Sequence, residues 1–194
     1  MGKGRLEAFS DGVLAIIITI MVLEIKVPRG SDPAALRPLL PAVLGYALSF
    51  VYIGIYWNNH HHMLHATRRI NGPIMWANLH LLFWLSLVPI VTGWLGENPF
   101  EPWPTAVYGV ILFMAAIAYL FLERAIVSYN GRDSALAAAV GNELKGKISA
   151  ALYLSAILLA FVQPWISDVL YALVAVLWIV PDPRIERALA AKPD

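Results

Sequence analysis

The residues with the clearest capacity for chemistry are the histidines of residues 58–65, which read Asn-Asn-His-His-His-Met-Leu-His. Residues three or four positions apart share a helix face, so His65 can pair with His62 or His61 to bind a metal ion. Membrane di-iron oxygenases need several such groups of histidines, and only His80 remains elsewhere in this chain. We therefore predict no metal site. The pattern favours imidazoles that hydrogen-bond at a membrane interface, with pH sensing by His61, His62, His65 and His80 as an alternative.

Other kinds of catalytic chemistry lack the residues that they need. Cysteine is absent, which excludes disulfides, Cys-ligated zinc, iron–sulfur clusters and thiol nucleophiles. No Ser-His-Asp triad, phosphate-binding P-loop or dinucleotide fingerprint can be assembled. A net charge of +1 also provides no basic surface that could neutralise nucleic-acid phosphates. The sequence predicts neither an enzyme, nor a cofactor, nor a nucleic-acid partner.

A carboxylate lies at the start of the first apolar segment, where Ser10 and Asp11 precede a long run of Ile, Val, Leu and Met. An ionised group near a membrane core costs several kcal/mol unless it is paired or hydrated. Arg5 lies six residues away, about 240° around a helix, so the two side chains cannot stack directly. Either a network with His80, Asn78 or the second-span histidines pairs Asp11, or a late helix start makes Ser10 or Asp11 an N-cap.

The same segment carries a narrow stripe formed by Gly12, Ile16, Thr19 and Leu23, which share one helix face. One interpretation is helix packing, because glycine permits close approach and threonine can bond back to its own helix. The other is a pore lining, in which Ile16 and Leu23 form apolar constrictions and Thr19 offers a hydroxyl ring to an ion. Residue types alone favour packing, because Gly and Thr are common in spanning helices.

The elements that must position these residues are membrane spans. Hydrophobic residues make up 59% of the 194 residues and charged residues only 14%, against roughly 25% charged in a soluble domain. A spanning helix needs about 20 mostly apolar residues. The apolar runs predict an all-α integral membrane protein that forms a single domain over 1–194, with six spans at 8–27, 39–63, 73–96, 104–128, 148–163 and 165–181.

The distribution of cationic residues predicts how these spans are oriented. Eleven of the 14 Lys and Arg residues lie in the N-terminal segment, the 2–3 and 4–5 loops and the C-terminal segment. By the positive-inside rule, both termini are expected to be cytoplasmic. The N-terminal segment has no small-residue cleavage site after its apolar run, so we expect the first span to remain in the mature protein.

The pattern Arg-x-x-x-Phe-Ser-Asp that opens the first span, here Arg5, Phe9, Ser10 and Asp11, resembles the signature of potassium channels related to the endolysosomal potassium channel of animals. The His-rich end of the second span and the third span, with its Trp and His residues, are similar to the bacterial branch of that family, whose members have a single six-helix unit. The resemblance covers essentially the whole chain. It implies a homotetrameric, potassium-selective channel in the bacterial plasma membrane, with K⁺ and membrane lipids as its partners.

The resemblance also assigns roles to residues of the first helix. Arg5, Phe9, Ser10 and Asp11 are implied to hold that helix at its cytoplasmic end. The family's apolar constriction and pore-facing hydroxyl layer match the stripe of Gly12, Ile16, Thr19 and Leu23, which raises the pore interpretation above packing. No Thr-Val-Gly-Tyr-Gly filter is present. A proton-coupled secondary transporter that uses Asp11 and the second-span histidines is the alternative function.

Overall fold

A computed structural model describes residues 2–131 and 144–179, and within these ranges helices joined by short connections are the only regular secondary structure. Most of the helices are long and apolar, as expected of segments that lie in lipid. The elements are α1 (Lys3–Leu23), a short 3₁₀ helix (Pro33–Leu39), α2 (Leu40–Ala66), α3 (Gly72–Ser86), α4 (Val88–Glu97), α5 (Pro102–Asn130), α6 (Leu144–Leu159) and α7 (Pro164–Ile179).

The helices overlap the predicted spans, with three differences. Helix α6 (Leu144–Leu159) begins and ends four residues before the predicted span at 148–163. The first helix begins at Lys3 and ends at Leu23, five residues before the predicted start and four before the predicted end. The third span is broken into α3 and α4 at Leu87, directly before Val88 and Pro89. Proline lacks the backbone N–H that would continue the ladder and its ring crowds the preceding turn, so a new helix starts there.

Four segments of the described residues are long and apolar enough to cross a bilayer: Lys3–Leu23, Pro33–Ala66, Gly72–Glu97 and Pro102–Asn130. The last two helices are shorter, at 16 residues each, which corresponds to about 24 Å of helix against a hydrocarbon core of about 30 Å. The end of the sixth predicted span, at 180–181, lies outside the described residues.

Helix α5 is the centre of the bundle and packs against α3, α4, α6 and α7. Helix α1 lies at the side of the bundle and packs on α2, α3 and α4. It does so through one face, which consists of Leu6, Ser10, Leu14, Ile17 and Met21. The spacing of three or four residues along this series places those five side chains on a single stripe. The side of α1 opposite this stripe is exposed in the described part of the chain.

Three tyrosines, Tyr52, Tyr108 and Tyr171, fill the junction between α2, α5 and α7, and each of their hydroxyls has a hydrogen-bond partner. The Tyr108 hydroxyl lies 3.0 Å from that of Ser49, and the Tyr171 hydroxyl donates to the Thr105 carbonyl at 3.1 Å. The rings of Tyr108 and Tyr171 pack edge to face with centroids 5.5 Å apart. Pairing these groups is necessary, because an unbonded hydroxyl buried in an apolar bundle costs several kcal/mol.

Glycine at position 109 is what allows Tyr171 to reach this junction. A Cβ at Gly109 would lie 2.0 Å from the Tyr171 hydroxyl and 2.9 Å from the Ile157 side chain. We therefore expect Gly109→Ala to lower stability by about 1–3 kcal/mol through overpacking. Gly54→Ala, where a Cβ meets nothing within 4 Å, should leave stability unchanged or raise it by up to about 1 kcal/mol. Thermal unfolding of both variants in detergent checks this pair, and equal midpoints would contradict it.

Candidate functional site

The predicted stripe on α1 faces away from the rest of the subunit. Ile16 is 58% exposed and Leu23 is 80% exposed. Gly12 and Thr19 are exposed as well, and a Cβ at Gly12 would meet nothing within 4 Å. These four residues lie on the side of the helix nearly opposite its buried face. The packing interpretation is therefore wrong within one subunit, because no helix of the described chain covers the stripe.

Thr19 places a hydroxyl in the middle of this exposed, otherwise apolar surface. Its Oγ1 donates to the Ile16 carbonyl at 2.9 Å, within the same helix. Because the hydroxyl proton is used in that bond, the oxygen presents its lone pairs outward. A cation that passes along the stripe would meet an acceptor there.

The position at which α1 begins decides whether Ser10 or Asp11 of the Phe-Ser-Asp pattern can cap the helix. Gly2 is the N-cap, so Ser10 and Asp11 lie in the third turn and the interpretation of either as an N-cap is wrong. The buried Ser10 hydroxyl donates to the Leu6 carbonyl at 2.9 Å. It accepts from the Asn78 side-chain amide at 3.0 Å. Ser10 thus joins α1 to α3.

This connection continues into α2 through a buried histidine. The Asn78 Oδ1 atom lies 2.6 Å from Nε2 of His60, and Ser10, Asn78 and His60 are all at most 1% exposed. With Nε2–H as the donor, each group donates to the next in the order His60, Asn78, Ser10 and Leu6. Three helices are joined at one point by this chain of hydrogen bonds, which we call the Ser10–Asn78–His60 network.

A second set of contacts joins α1 to α2 at regular intervals. Trp57 donates its indole N–H to Asp11 at 3.1 Å. One turn towards the N-terminus, Glu7 lies 3.1 Å from Nδ1 of His61. One turn further, Lys3 donates to the backbone carbonyl of His65 at 2.8 Å. Each step is four residues on both helices, as antiparallel neighbours require.

The predicted network for Asp11 is thereby partly corrected. Asn78 and a second-span histidine do form a network with the motif, but through Ser10, and Asp11 is paired by Trp57 instead. His80 is not part of it: it accepts from Trp84 at 2.9 Å and stacks on Phe121 of α5. His80 therefore lies on the face of α3 that meets α5.

His60 is absent from the histidines that the sequence predicts as network or pH-sensing residues, yet it is the buried one. The buried positions of α2 recur about every three or four residues, and they include His60 but neither His61 nor His62. These positions are Ser49, Tyr52, Ile53, Tyr56, His60, Met63 and Leu64. Helical periodicity could have identified it. His61 and His62 are half-buried and His65 is exposed. Within 2–131 and 144–179, no group of three His, Asp or Glu side chains is placed to hold a metal ion.

Two residues of the motif point outward. Phe9 is 48% exposed and Arg5 is exposed, both on the side of α1 that carries the stripe. The Arg5 guanidinium has no hydrogen bond or ion pair with any part of the chain that the structure describes. Both side chains are therefore available for contacts outside the described part of the chain.

Comparison with known proteins identifies the family. Residues 5–89 match the family model for the endosomal/lysosomal potassium channel TMEM175. A potassium channel of a Chryseobacterium strain is 55% identical over 189 residues, which cover 97% of this chain and 98% of that protein. The chain belongs to the TMEM175 family. The resemblance seen in the Arg-x-x-x-Phe-Ser-Asp pattern is confirmed.

The TMEM175 family also supplies a structural match. The crystal structure of a lysosomal potassium-selective channel TMEM175 homolog from Chamaesiphon minutus superposes with a TM-score of 0.79 at 31% identity, covering 92% of this chain and 96% of that one. The human endosomal/lysosomal proton channel TMEM175 is 32% identical over 62% of this chain, but that stretch covers only 27% of the human protein. The all-helical fold is that of a TMEM175 channel.

These findings establish the general class of this TMEM175-family chain. It is a multi-pass integral membrane protein and a potassium channel, not an enzyme. Its similarity to bacterial potassium channels indicates the plasma membrane as its location.

Proposed function

We propose that several copies of this chain, most simply a homotetramer, surround an axis lined by α1 and conduct K⁺ passively through that pore. The observation that carries this proposal is the outward-facing stripe on α1, which has a glycine, two large apolar residues and a hydroxyl and no partner in the described part of its own subunit. One subunit supplies one stripe, so a pore lined by it requires identical copies around an axis. The TMEM175 fold supports the proposal, because its relatives are potassium channels.

The stripe divides the proposed pore into layers. Ile16 and Leu23 are separated by two helical turns, or about 10 Å along the axis, and Thr19 lies between them. Rings of large apolar side chains oppose ion passage by expelling water from a narrow segment. We assign the constriction to Ile16 and Leu23, and Gly12 widens the lumen on the other side of Ile16.

We assign selectivity to the Thr19 layer. A ring of hydroxyl oxygens, each with its proton held by the Ile16 carbonyl, presents only acceptors to the lumen. Such a ring replaces part of the hydration shell of a cation at low field strength, which favours K⁺ because K⁺ holds its water less tightly than Na⁺.

The remaining topology follows from the same proposal. An even number of spans puts both termini on the same side, and the excess of Lys and Arg on that side favours the cytoplasm. The Ser10–Asn78–His60 network then lies in the cytoplasmic half of α1. The many exposed apolar side chains on the other helices, such as Leu158 and Ile179, face membrane lipids. Arg5 and Phe9 then lie where a neighbouring subunit can contact them.

The direct test of this function is ion flux into liposomes that contain the purified protein. We expect K⁺ flux that needs no valinomycin and exceeds Na⁺ flux under equal gradients. Equal K⁺ and Na⁺ flux, or no flux at verified incorporation, would overturn the proposal. Saturable flux driven by a pH gradient, without single-channel steps, would instead support a proton-coupled carrier.

The assignment of selectivity to Thr19 can be tested by removing its hydroxyl. Thr19→Ala should lower the K⁺/Na⁺ permeability ratio roughly three- to tenfold, because the apolar pore then offers no oxygen ligand. The matched control is Ser86→Ala, since the Ser86 hydroxyl is also exposed and also bonds back three residues, to the Phe83 carbonyl at 2.7 Å. Reversal potentials under bi-ionic conditions measure the ratio. An unchanged ratio in Thr19→Ala would remove Thr19 from the selectivity site.

A further inference from the structure

A cavity of about 380 Å³ lies at the end of the bundle where α1 terminates, away from the Ser10–Asn78–His60 network. It is bounded by the last turn of α1 and the segment after it, by the 3₁₀ helix, and by parts of α2 and α4. Its volume falls in the range of sites that bind small molecules, which is roughly 300–1,000 Å³. The proposed pore function makes no use of this cavity.

The charged groups that line the cavity leave one negative charge uncompensated. Lys26 and Glu97 form an ion pair with Nζ and Oε1 2.6 Å apart. Lys26 is near Glu24 in the sequence, but its ion pair is with Glu97. The Glu24 carboxylate has no hydrogen bond or ion pair within residues 2–131 and 144–179. It also stands at the C-terminal end of α1, where the helix dipole favours a cation.

Glycines on α4 shape the site around this carboxylate. A Cβ at Gly93 would lie 3.4 Å from Glu24 Oε2, so the carboxylate lies directly against bare backbone. A Cβ at Gly96, one turn further, would lie 2.8 Å from the Ala42 Cα atom. The absence of a side chain at Gly96 therefore lets α4 approach α2 closely and close one side of the cavity.

The other walls decide which kind of cation fits. Besides the Lys26–Glu97 pair and Thr92, they include the apolar side chains of Met21, Ile25, Pro38 and Pro41, and Tyr46 is also part of the lining. Methylene, methyl and pyrrolidine groups cannot replace the water of an inorganic ion, whereas they pack well against alkyl groups. An aromatic ring also attracts an alkylated ammonium through its face. One unpaired carboxylate, one tyrosine and several apolar side chains suit a small organic monocation.

We propose that this cavity binds a small alkylammonium compound, with its charge on Glu24, its alkyl groups against the apolar walls and Tyr46 beside it. The site is separate from the stripe of α1, because Glu24 follows Leu23 on the side of the helix that faces α4. Its occupancy would fix the outer end of α1 relative to α4. The proposal does not depend on the pore assignment.

Equilibrium binding of tetramethylammonium to the purified protein in detergent, followed by calorimetry, tests the site without measuring flux. We expect saturable binding, weakened roughly tenfold or more by Glu24→Gln. Tyr46→Leu should weaken it by about three- to tenfold and Tyr46→Phe should preserve it, since only the latter retains the ring.

Glu101→Gln is the matched control, because Glu101 is an exposed carboxylate that does not line the cavity. It should bind tetramethylammonium like the unmodified chain. No saturable binding, or equal affinity in Glu24→Gln, would overturn the proposal. Binding that Thr19→Ala abolishes while Glu24→Gln leaves it unchanged would place the cation in the pore and would overturn it as well. Loss of K⁺ flux with intact tetramethylammonium binding would reject the pore proposal alone.

Discussion

Ile16→Asn is expected to raise K⁺ flux roughly tenfold, equivalent to lowering the barrier by about 1.4 kcal/mol. Ile16 is 58% exposed at the centre of the stripe, and a ring of isoleucines around a narrow axis excludes water. An amide side chain of similar size keeps the lumen hydrated, so ions cross it with more of their water retained. Flux into liposomes at matched protein density measures the effect.

The control for this prediction is the same substitution at another exposed isoleucine. Ile90 on α4 is 67% exposed, and Ile90→Asn should leave K⁺ flux unchanged because α4 does not line the proposed pore. Ile16→Val, which keeps an apolar ring, should likewise have little effect. If Ile16→Asn and Ile90→Asn alter flux equally, Ile16 does not form a constriction.

Asn78→Ala is expected to lower the unfolding free energy by about 2–4 kcal/mol, the largest stability effect predicted for this chain. Asn78 is fully buried and bonds both Ser10 and His60. Its removal leaves the His60 ring without a side-chain partner, because the other ring nitrogen, Nδ1, already has none in the described residues. The positions of α1, α2 and α3 relative to one another would loosen together.

Thermal unfolding in detergent, with Asn98→Ala as the matched control, checks this expectation. Asn98 also uses its side-chain amide in one hydrogen bond, to the Trp94 carbonyl at 3.0 Å, but it is near the surface at the end of α4. The control should cost less than about 1 kcal/mol. Similar losses at the two positions would mean that the Ser10–Asn78–His60 network does not hold the three helices together.

Much of this architecture can be read from residue patterns. The long apolar runs predicted α2 and α5 to within three residues at each end, because lipid requires continuous apolar helices. The spacing of Gly12, Ile16, Thr19 and Leu23 identified a face that the structure leaves uncovered. Hydrophobic periodicity was informative for α1 because one side of that helix packs and the other does not.

Other features depend on tertiary contacts that no local pattern contains. The pairing of Asp11 with Trp57 requires knowledge of how α1 lies on α2. The Ser10–Asn78–His60 network joins residues up to 68 positions apart in the chain. The sequence shows Pro89 just after the break at Leu87. Because proline is tolerated in spanning helices, its position alone does not decide between a kinked helix and two separate helices.

The most direct test of the central claim, that α1 lines the pore, is cysteine accessibility, which is clean in this chain because it has no cysteine of its own. Thr19→Cys and Leu23→Cys, each as the sole cysteine, would be treated with a water-soluble, positively charged methanethiosulfonate, with Leu158→Cys on α6 as the control, since Leu158 is 72% exposed. If α1 lines the pore, the reagent blocks K⁺ flux at positions 19 and 23 and leaves it unchanged at 158. Block at position 158, with unaltered flux at 19 and 23, would contradict it.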